Sequence, residues 1–464
     1  MGKGPQRSGE RRGRAVVVGG GYAGLVVARV LADHFAEVVI LERDPVDDDT
    51  GVHPHAPQAH HAHAMLAKGG EILERLFPGL RAELHDLGAP VFDYGERISF
   101  LQPAGFAPRC RTGVLIQSFT RHELERSLRR RVLALPGVTL RAPARCEGLV
   151  MDRPGTVSQV VYRLEGSEEP ARLAADLVVD ASGRSSGLDR WLGDLGLPVP
   201  GKRVVKAKIT YTSMNFDRPE QDREDFDIAY QMMFAPGIPR GGVILAVERN
   251  SWTCSLFGFD DQAPPTDDQG YLDFARSLAN PRLAELIEGR SCAGPTRQYV
   301  NVNNRWNLYH QLDAWPERLI AVGDSVCVFN PVYGQGLTVA ALEADLLHRM
   351  LATRTDGTAL DGLSRRFQRR VARALLVPWT LSSNSDLMWN PVGQPLSART
   401  AHWYNTQVFA VSVHDPEVWT RFVRVANMVA PPSVLFHPSV LLKVIGAALT
   451  RRHRAAPAAS GTGN

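Results

Sequence analysis

The chain has 464 residues, enough for two or three domains around a large core. Hydrophobic residues at 44% and charged residues at 22% are ordinary for a globular protein in water, and no apolar run reaches the roughly 20 residues that span a bilayer. The net charge of +4 combines two basic tails, +4 over residues 1–14 and +3 over 451–454, with a body of −3, so no broad basic face speaks for nucleic-acid binding. The five cysteines are scattered without a CxxC pair, which fits a reducing compartment, and the basic start lacks the apolar core of a signal peptide. A cytoplasmic protein is expected.

The first predicted element is a strand over 15–18, a β-branched run suited to a buried parallel sheet. It enters Gly19-Gly20-Gly21-Tyr22-Ala23-Gly24, which fits G-x-G-x-x-G. An amphipathic helix with Leu25, Val26, Ala28, Val30 and Leu31 follows, then a second strand over 38–41 that ends at Glu42 and Arg43. In such a unit Gly19 permits a tight turn, Gly21 lets the backbone approach a pyrophosphate, and Gly24 lets the helix pack close. The helix start at Tyr22 and Ala23 presents free N–H groups to phosphate. Glu42 can accept hydrogen bonds from ribose hydroxyls. The unit predicts a dinucleotide cofactor without separating FAD from NAD.

Residues 53–66, HPHAPQAHHAHAML, hold five of the 14 histidines. His61-x-His63 and His60-x-x-His63 have ligand-like spacing, yet no matching Cys/His set lies elsewhere, and no metal is expected. Helical spacing from Met65 onward (Leu66, Ile72, Leu73, Leu76) puts His60, His61 and His63 at a helix entrance. A further helix from about Arg121 turns Leu124, Leu128 and Val132 inward and leaves Arg126 and residues 129–131 on a solvated face.

A strand over 177–179 delivers Asp180 to its C-terminal end, followed by a polar turn. Open α/β sheets place ligands there; a helix cap is the other reading of Asp180. Residues 199–316 read as a β-rich domain with a helix near 271–287. Tyr211, Met214, Met232, Phe234, Leu256 and Phe257 could line its pocket, although core packing is the more ordinary role for them. A strand over 319–322 then ends in Gly323-Asp324, and Pro331-Val332-Tyr333-Gly334-Gln335-Gly336 opens a long helix. An aspartate and a helix N-terminus in that position can bind hydroxyls and stabilise developing negative charge.

These three motifs, in this order, resemble those of FAD-dependent monooxygenases of the aromatic-hydroxylase fold, over about residues 14–350. The resemblance implies an α/β fold: a Rossmann-type FAD-binding domain (14–198 and 317–357), an inserted β-rich substrate domain of α+β type (199–316) and a helical C-terminal region (358–454), between disordered ends. It places Gly19, Gly21 and Gly24 at the FAD pyrophosphate, Glu42 at the adenosine ribose, and Gly323 and Asp324 at the ribityl chain or pyrophosphate. Pro331, Gly334, Gln335 and Gly336 would run beside the isoalloxazine. Arg121 matches the family's S/T-x-x-R-x-x-L helix start and would reach the flavin phosphates. Much of the family has Asp-Gly where this chain has Asp180-Ala181, so Asp180 is kept only as a cofactor-side residue.

Pro57, Gln58, His61 and His63 are similar to a P-Q-x-R-H-x-H segment in a subgroup that includes bacterial polyether epoxidases and, more distantly, squalene epoxidases. His60 replaces that segment's arginine, and the run then becomes a flavin-lining helix entrance. The activity implied is insertion of one oxygen atom of O2 into an apolar natural product, by epoxidation or hydroxylation through a C4a-hydroperoxyflavin. NAD(P)H would be the reductant, directly or through a partner flavin reductase. The alternative is a reductase or dehydrogenase of the same fold acting on a prenyl-type substrate. No Trp-x-Trp pair exists to suggest a halogenase. The last helix, rich in Leu441, Leu442, Val444, Ile445, Ala448 and Leu449, is expected to pack on the flavin domain, with peripheral membrane contact as the second reading.

Overall fold

The computed structural model describes residues 12–46, 61–218, 224–290, 292–353, 360–390 and 392–455. His60, the first eleven residues of the expected disordered N-terminus and the tail from 456 lie outside them. A five-stranded parallel sheet forms the nucleotide-binding layer. Its strands are β1 (Arg12–Val18), β2 (Phe35–Leu41), β3 (Val138–Arg141), β4 (Leu177–Asp180) and β5 (Leu319–Ala321), in the order β5-β4-β1-β2-β3. Its central strands are buried on both faces, which is why they read as unbroken apolar runs. The helices packed around it are α1 (Tyr22–Leu31), α2 (Ala67–Leu76), α3 (Arg121–Leu133), α4 (Gly336–Ala352) and α5 (Leu363–Leu387).

The second layer is an eight-stranded sheet whose long central strand, Lys202–Asp217, pairs with Ser251–Phe259 on one side and Arg297–Asn307 on the other. The period-2 alternation sorts its side chains. Met214, Phe216, Cys254 and Leu256 face the helices Asp268–Arg276 and Arg282–Glu285, while Tyr211 and Phe257 belong to a separate cluster on the opposite side. The single helix expected near 271–287 is therefore two, divided at Asn280-Pro281, where the Asn280 side chain bonds to Ser99 and Tyr230 carbonyls. The expected domain boundaries are crossed as well. Ile98–Gln102, inside the first segment, joins the large sheet by parallel pairing with Ile228–Gln231, and Cys327–Val328 joins it beside Arg297–Asn307.

Three more helices, α6 (Leu396–Ser412), α7 (Pro416–Ala426) and α8 (Pro438–Ala455), complete the chain. Asp415 caps α7 by accepting from the N–H groups of Glu417 and Val418. Val440 and Val444 of α8 are buried against Tyr404, Val408 and Val418 of the other two helices. The last helix thus packs within the C-terminal region rather than on the nucleotide-binding sheet, and Leu442, Ile445 and Leu449 remain exposed. Among the described residues no helix is long and apolar enough to cross a membrane.

Candidate functional site

The glycine turn after β1 opens one side of a cleft of about 480 Å3 that runs between the two layers. Gly19 has φ +106°, and a Cβ there would stand 2.5 Å from the Ala181 carbonyl oxygen. A Cβ on Gly24 would lie 1.9 Å from the Gly19 carbonyl oxygen, so α1 can pack this closely only without a side chain. Gly21 differs, because a Cβ there would meet nothing nearer than Glu125 Oε1 at 3.9 Å. The space in front of Gly21 is open cleft. Tyr22 and Ala23 line the same wall, whereas Gly24 is internal to it.

Glu42 is buried at the end of β2. Its Oε2 accepts from the Gly20 N–H at 2.6 Å and its Oε1 from the Asp44 N–H at 2.8 Å. It lines the cleft with Arg43, whose Nη1 donates to Ser185 Oγ at 3.0 Å. Asp180 does something else. Its Oδ1 accepts from the Ser182 N–H at 3.1 Å and from the Ser182 hydroxyl, and its Oδ2 from the Ser186 hydroxyl at 2.6 Å. The carboxylate, 1% exposed, is consumed by the turn that follows β4 and is absent from the cleft wall. Its place as a cofactor-side residue passes to the turn it shapes, where Ser182, Gly183, Arg184 and Ser185 face the cleft.

Positive charge enters from three elements. Arg121 opens α3, Arg184 leaves the turn after β4, and Arg305 sits on Arg297–Asn307; all three pull the Asp324 carboxyl down against the burial that pushes it up. Arg121 lines the cleft but spends Nε on Glu125 Oε1 at 2.8 Å, and Glu125 also accepts from the Tyr22 N–H at 3.0 Å. The α1 N-terminus and the arginine therefore share one carboxylate. Arg184 donates to the Tyr299 hydroxyl and lies over its ring, 5.7 Å from the centroid. Sequence reasoning missed Arg184 as a site residue, although it stands four residues beyond Asp180 in the motif. It also missed Arg145, Cys146, Arg190 and Trp191, which line the end of the cleft near Arg43. Nothing local marks those four; the strand Ala144–Arg153 and the helix Leu188–Asp194 bring them in.

His63 lies on a short strand, His63–Met65, paired with Leu115–Phe119, so α2 begins later than the apolar spacing from Met65 suggests. Burial pushes the His63 imidazole down to about 3, with Arg121 adding to the shift, so the ring is neutral at physiological pH. His61 Nδ1 meets Ser213 Oγ at 2.7 Å, and its ring stands 6.0 Å from that of Tyr211 and 5.9 Å from that of Tyr299. His61 thus joins the cleft to the large sheet. Among the described residues no group of three or more His, Cys, Asp or Glu side chains is placed to hold a metal ion.

Pro331, Gly334, Gln335 and Gly336 line the far end of the cleft with Gly323 and Asp324. Gly334 has φ +63°, which ends the turn Pro331–Tyr333, and α4 starts after Gln335 without a side-chain cap. Its first N–H groups are available at the cleft. Gln335 is 6% exposed, and its Oε1 has no hydrogen-bond partner.

These features fit an elongated, polar, anionic ligand with a hydrogen-bond donor at its far end. The comparisons with known proteins name it. The family model described as FAD binding domain matches residues 13–379. The chain belongs to the FAD binding domain family. "Protein Rv3254" of Mycobacterium tuberculosis (strain ATCC 25618 / H37Rv) is 30% identical to this chain over 471 residues, covering 97% of this chain and 95% of that protein. Two solved structures share the fold. The triple mutant of the flavin-dependent brominase Bmp2 has a TM-score of 0.64 at 14% identity, covering 94% of this chain and 99% of its own. The p-nitrophenol 4-monooxygenase PnpA from Pseudomonas putida DLL-E4 has 0.61 at 15%, covering 90% and 98%. As an FAD-binding protein the chain has the residues to hold the cofactor: open backbone at Gly21, arginines at 121 and 184, and an unpaired acceptor at Gln335.

Proposed function

We propose that the protein is an FAD-dependent monooxygenase that inserts one oxygen atom of O2 into an apolar natural-product substrate, by epoxidation or hydroxylation. Bound FAD, once reduced, would activate O2 so that one of its oxygen atoms can be transferred. Two electrons come from NAD(P)H, directly or through a partner flavin reductase, and the second oxygen atom leaves as water. The observation that carries this reading is an apolar cluster packed behind the loop at the far end of the cleft. Ile209, Tyr211 and Phe257 of the large sheet, with Met233 just beyond the strand Ile228–Gln231, are buried against Val332 of the 331–336 loop and Tyr299, and Tyr299 lines the cleft. Such an apolar backing to the loop suits a lipophilic substrate.

The chain's own residues then have distinct tasks. Gly21, the α1 N-terminus, Arg121 and Arg184 receive the pyrophosphate, and Glu42 faces the adenosine ribose. The uncapped start of α4 offers N–H groups to negative charge on the flavin ring. His63, being neutral, adds no charge there. The exposed Leu442, Ile445 and Leu449 of α8 would serve any peripheral membrane contact made while a lipophilic substrate is collected.

The test is a rapid-mixing experiment. The FAD-loaded protein is reduced without oxygen and mixed with oxygenated buffer while the visible spectrum is followed. A transient spectrum distinct from both the reduced and oxidised cofactor is expected. Direct return to the oxidised spectrum, with and without lipophilic alkenes and aromatics, would instead favour a reductase or dehydrogenase acting on a prenyl-type substrate.

A further inference from the structure

Asp386 lies in the last turn of α5, outside the nucleotide-binding sheet, and is 2% exposed. Its carboxylate accepts from Asn304 Nδ2 on Arg297–Asn307, from Asn330 Nδ2 at 3.0 and 3.1 Å, and from the Tyr333 hydroxyl at 2.7 Å. Asn330 is tied further: its Oδ1 accepts from the Tyr211 hydroxyl at 2.6 Å and the Val332 N–H at 3.1 Å, while its N–H donates to Asn304 Oδ1 at 2.8 Å. The same Asn304 oxygen accepts from the Ser382 hydroxyl of α5 at 2.7 Å. One buried acid therefore gathers α5, two strands of the large sheet and the start of the 331–336 loop.

We propose that Asp386 is a positioning residue for that loop: its carboxylate holds Asn330 and Tyr333, and through them fixes the backbone that leads into α4. The proposal rests on the reading above, in which the loop runs beside the flavin ring. Each of its partners in this network, Asn304, Asn330 and Tyr333, is a donor, and all three are uncharged. The titratable groups facing it are Tyr333 from the loop and Tyr211 from the sheet. Both phenols are held well above their usual range, by burial first and then by Asp386 itself, so they remain neutral donors. Burial pushes Asp386 up to about 6, while hydrogen bonds from Tyr333, Asn330 and Asn304 pull it down.

A protonated carboxyl places its own hydroxyl among groups that now donate to it, so at least one of these bonds, to Asn304, Asn330 or Tyr333, must reverse or be given up. The set of bonds that holds the loop in neutral solution is then altered in acid. Global stability moves the other way. An acid whose folded pKa is raised binds its proton more tightly in the folded chain, so acidification through pH 6 does not unfold the protein through this group. A role confined to stability would leave the flavin environment unchanged with pH.

The experiment uses the full chain with FAD bound and follows the visible absorption of the cofactor from pH 5 to 8. The wild type is expected to show a step centred near pH 6. Asp386→Asn, uncharged throughout, should show no step and should keep the acid-form spectrum at pH 8. Tyr333→Phe removes one of the bonds that lower the pKa, so its step should move to higher pH. A pH-independent spectrum in the wild type with FAD bound, or a step that survives in Asp386→Asn, overturns the proposal. Should Asp386→Asn fail to fold, an unmoved step in Tyr333→Phe overturns it. Failure of the wild type to bind added FAD would be a different result, one that removes the reading of the cleft and this proposal with it.

Discussion

Gly21 and Gly24 stand three residues apart and answer opposite demands. Gly24 is required by the protein itself, since a Cβ there would enter the Gly19 carbonyl oxygen at 1.9 Å. Gly21 has ordinary extended φ of −76° and open space in front of it, so only a ligand needs it bare. Gly24→Ala should therefore lower stability by more than about 2 kcal/mol, measured by thermal unfolding. Gly21→Ala should leave the unfolding temperature nearly unchanged and weaken FAD binding at least about tenfold in a fluorescence titration, roughly 1.4 kcal/mol of affinity. Unaltered FAD affinity in Gly21→Ala would mean that the pyrophosphate lies elsewhere. At this scale the sequence was legible where a residue acts through local backbone, as these glycines do. It was less legible for side chains whose partners come from elsewhere in the chain. Asp180 looked like a ligand group because strand ends carry ligands, yet Ser182 and Ser186 claim both of its oxygens.

Elements with a strong internal period were read correctly in kind and shifted at their ends by pairing that the period does not record. The apolar spacing from Met65 is helical, but His63–Met65 is drawn into a strand by Leu115–Phe119, and α2 starts at Ala67. The last helix shows the limit more sharply. Its sequence is apolar nearly all round, which suggests burial, while the structure buries one side only. Val440 and Val444 are 0% and 1% exposed, whereas Leu442 is 73% exposed. Val444→Ala should cost about 1–3 kcal/mol of stability by opening a cavity against Tyr404 and Val418. Leu442→Gln should change it by less than about 0.5 kcal/mol. Equal losses in thermal unfolding of the two variants would show that the exposed side is covered in solution.

The whole molecule is built so that the cleft's chemistry depends on pieces far apart in sequence. Ile98–Gln102 completes the large sheet, α5 reaches back to the loop at 331–336, and α4 runs through the middle of the main core. None of these long-range meetings has a local signal, which is why the motifs foretold the cofactor side of the cleft better than its far wall. They also leave acids inside the protein. Glu343 of α4 is 1% exposed; its Oε2 accepts from the Gly323 N–H at 2.5 Å and its Oε1 has no partner. Burial pushes it up to about 8, and the neighbouring Asp324 adds to the rise. Between the ordinary value of 4.5 for a glutamate and about 8 the folded chain keeps a proton that the unfolded chain releases. Stability must then fall as pH rises across that window, by up to about 1.4 kcal/mol per pH unit from this group, and level off above it. Glu343→Gln retains an acceptor for Gly323 and removes the titration. With FAD bound in both proteins, its advantage in unfolding temperature over the wild type should grow from pH 5 to pH 8 and then hold constant. An advantage that is the same at pH 5 and pH 8 would mean that Glu343 is ionised in the folded protein throughout, with a counter-charge or water at its second oxygen.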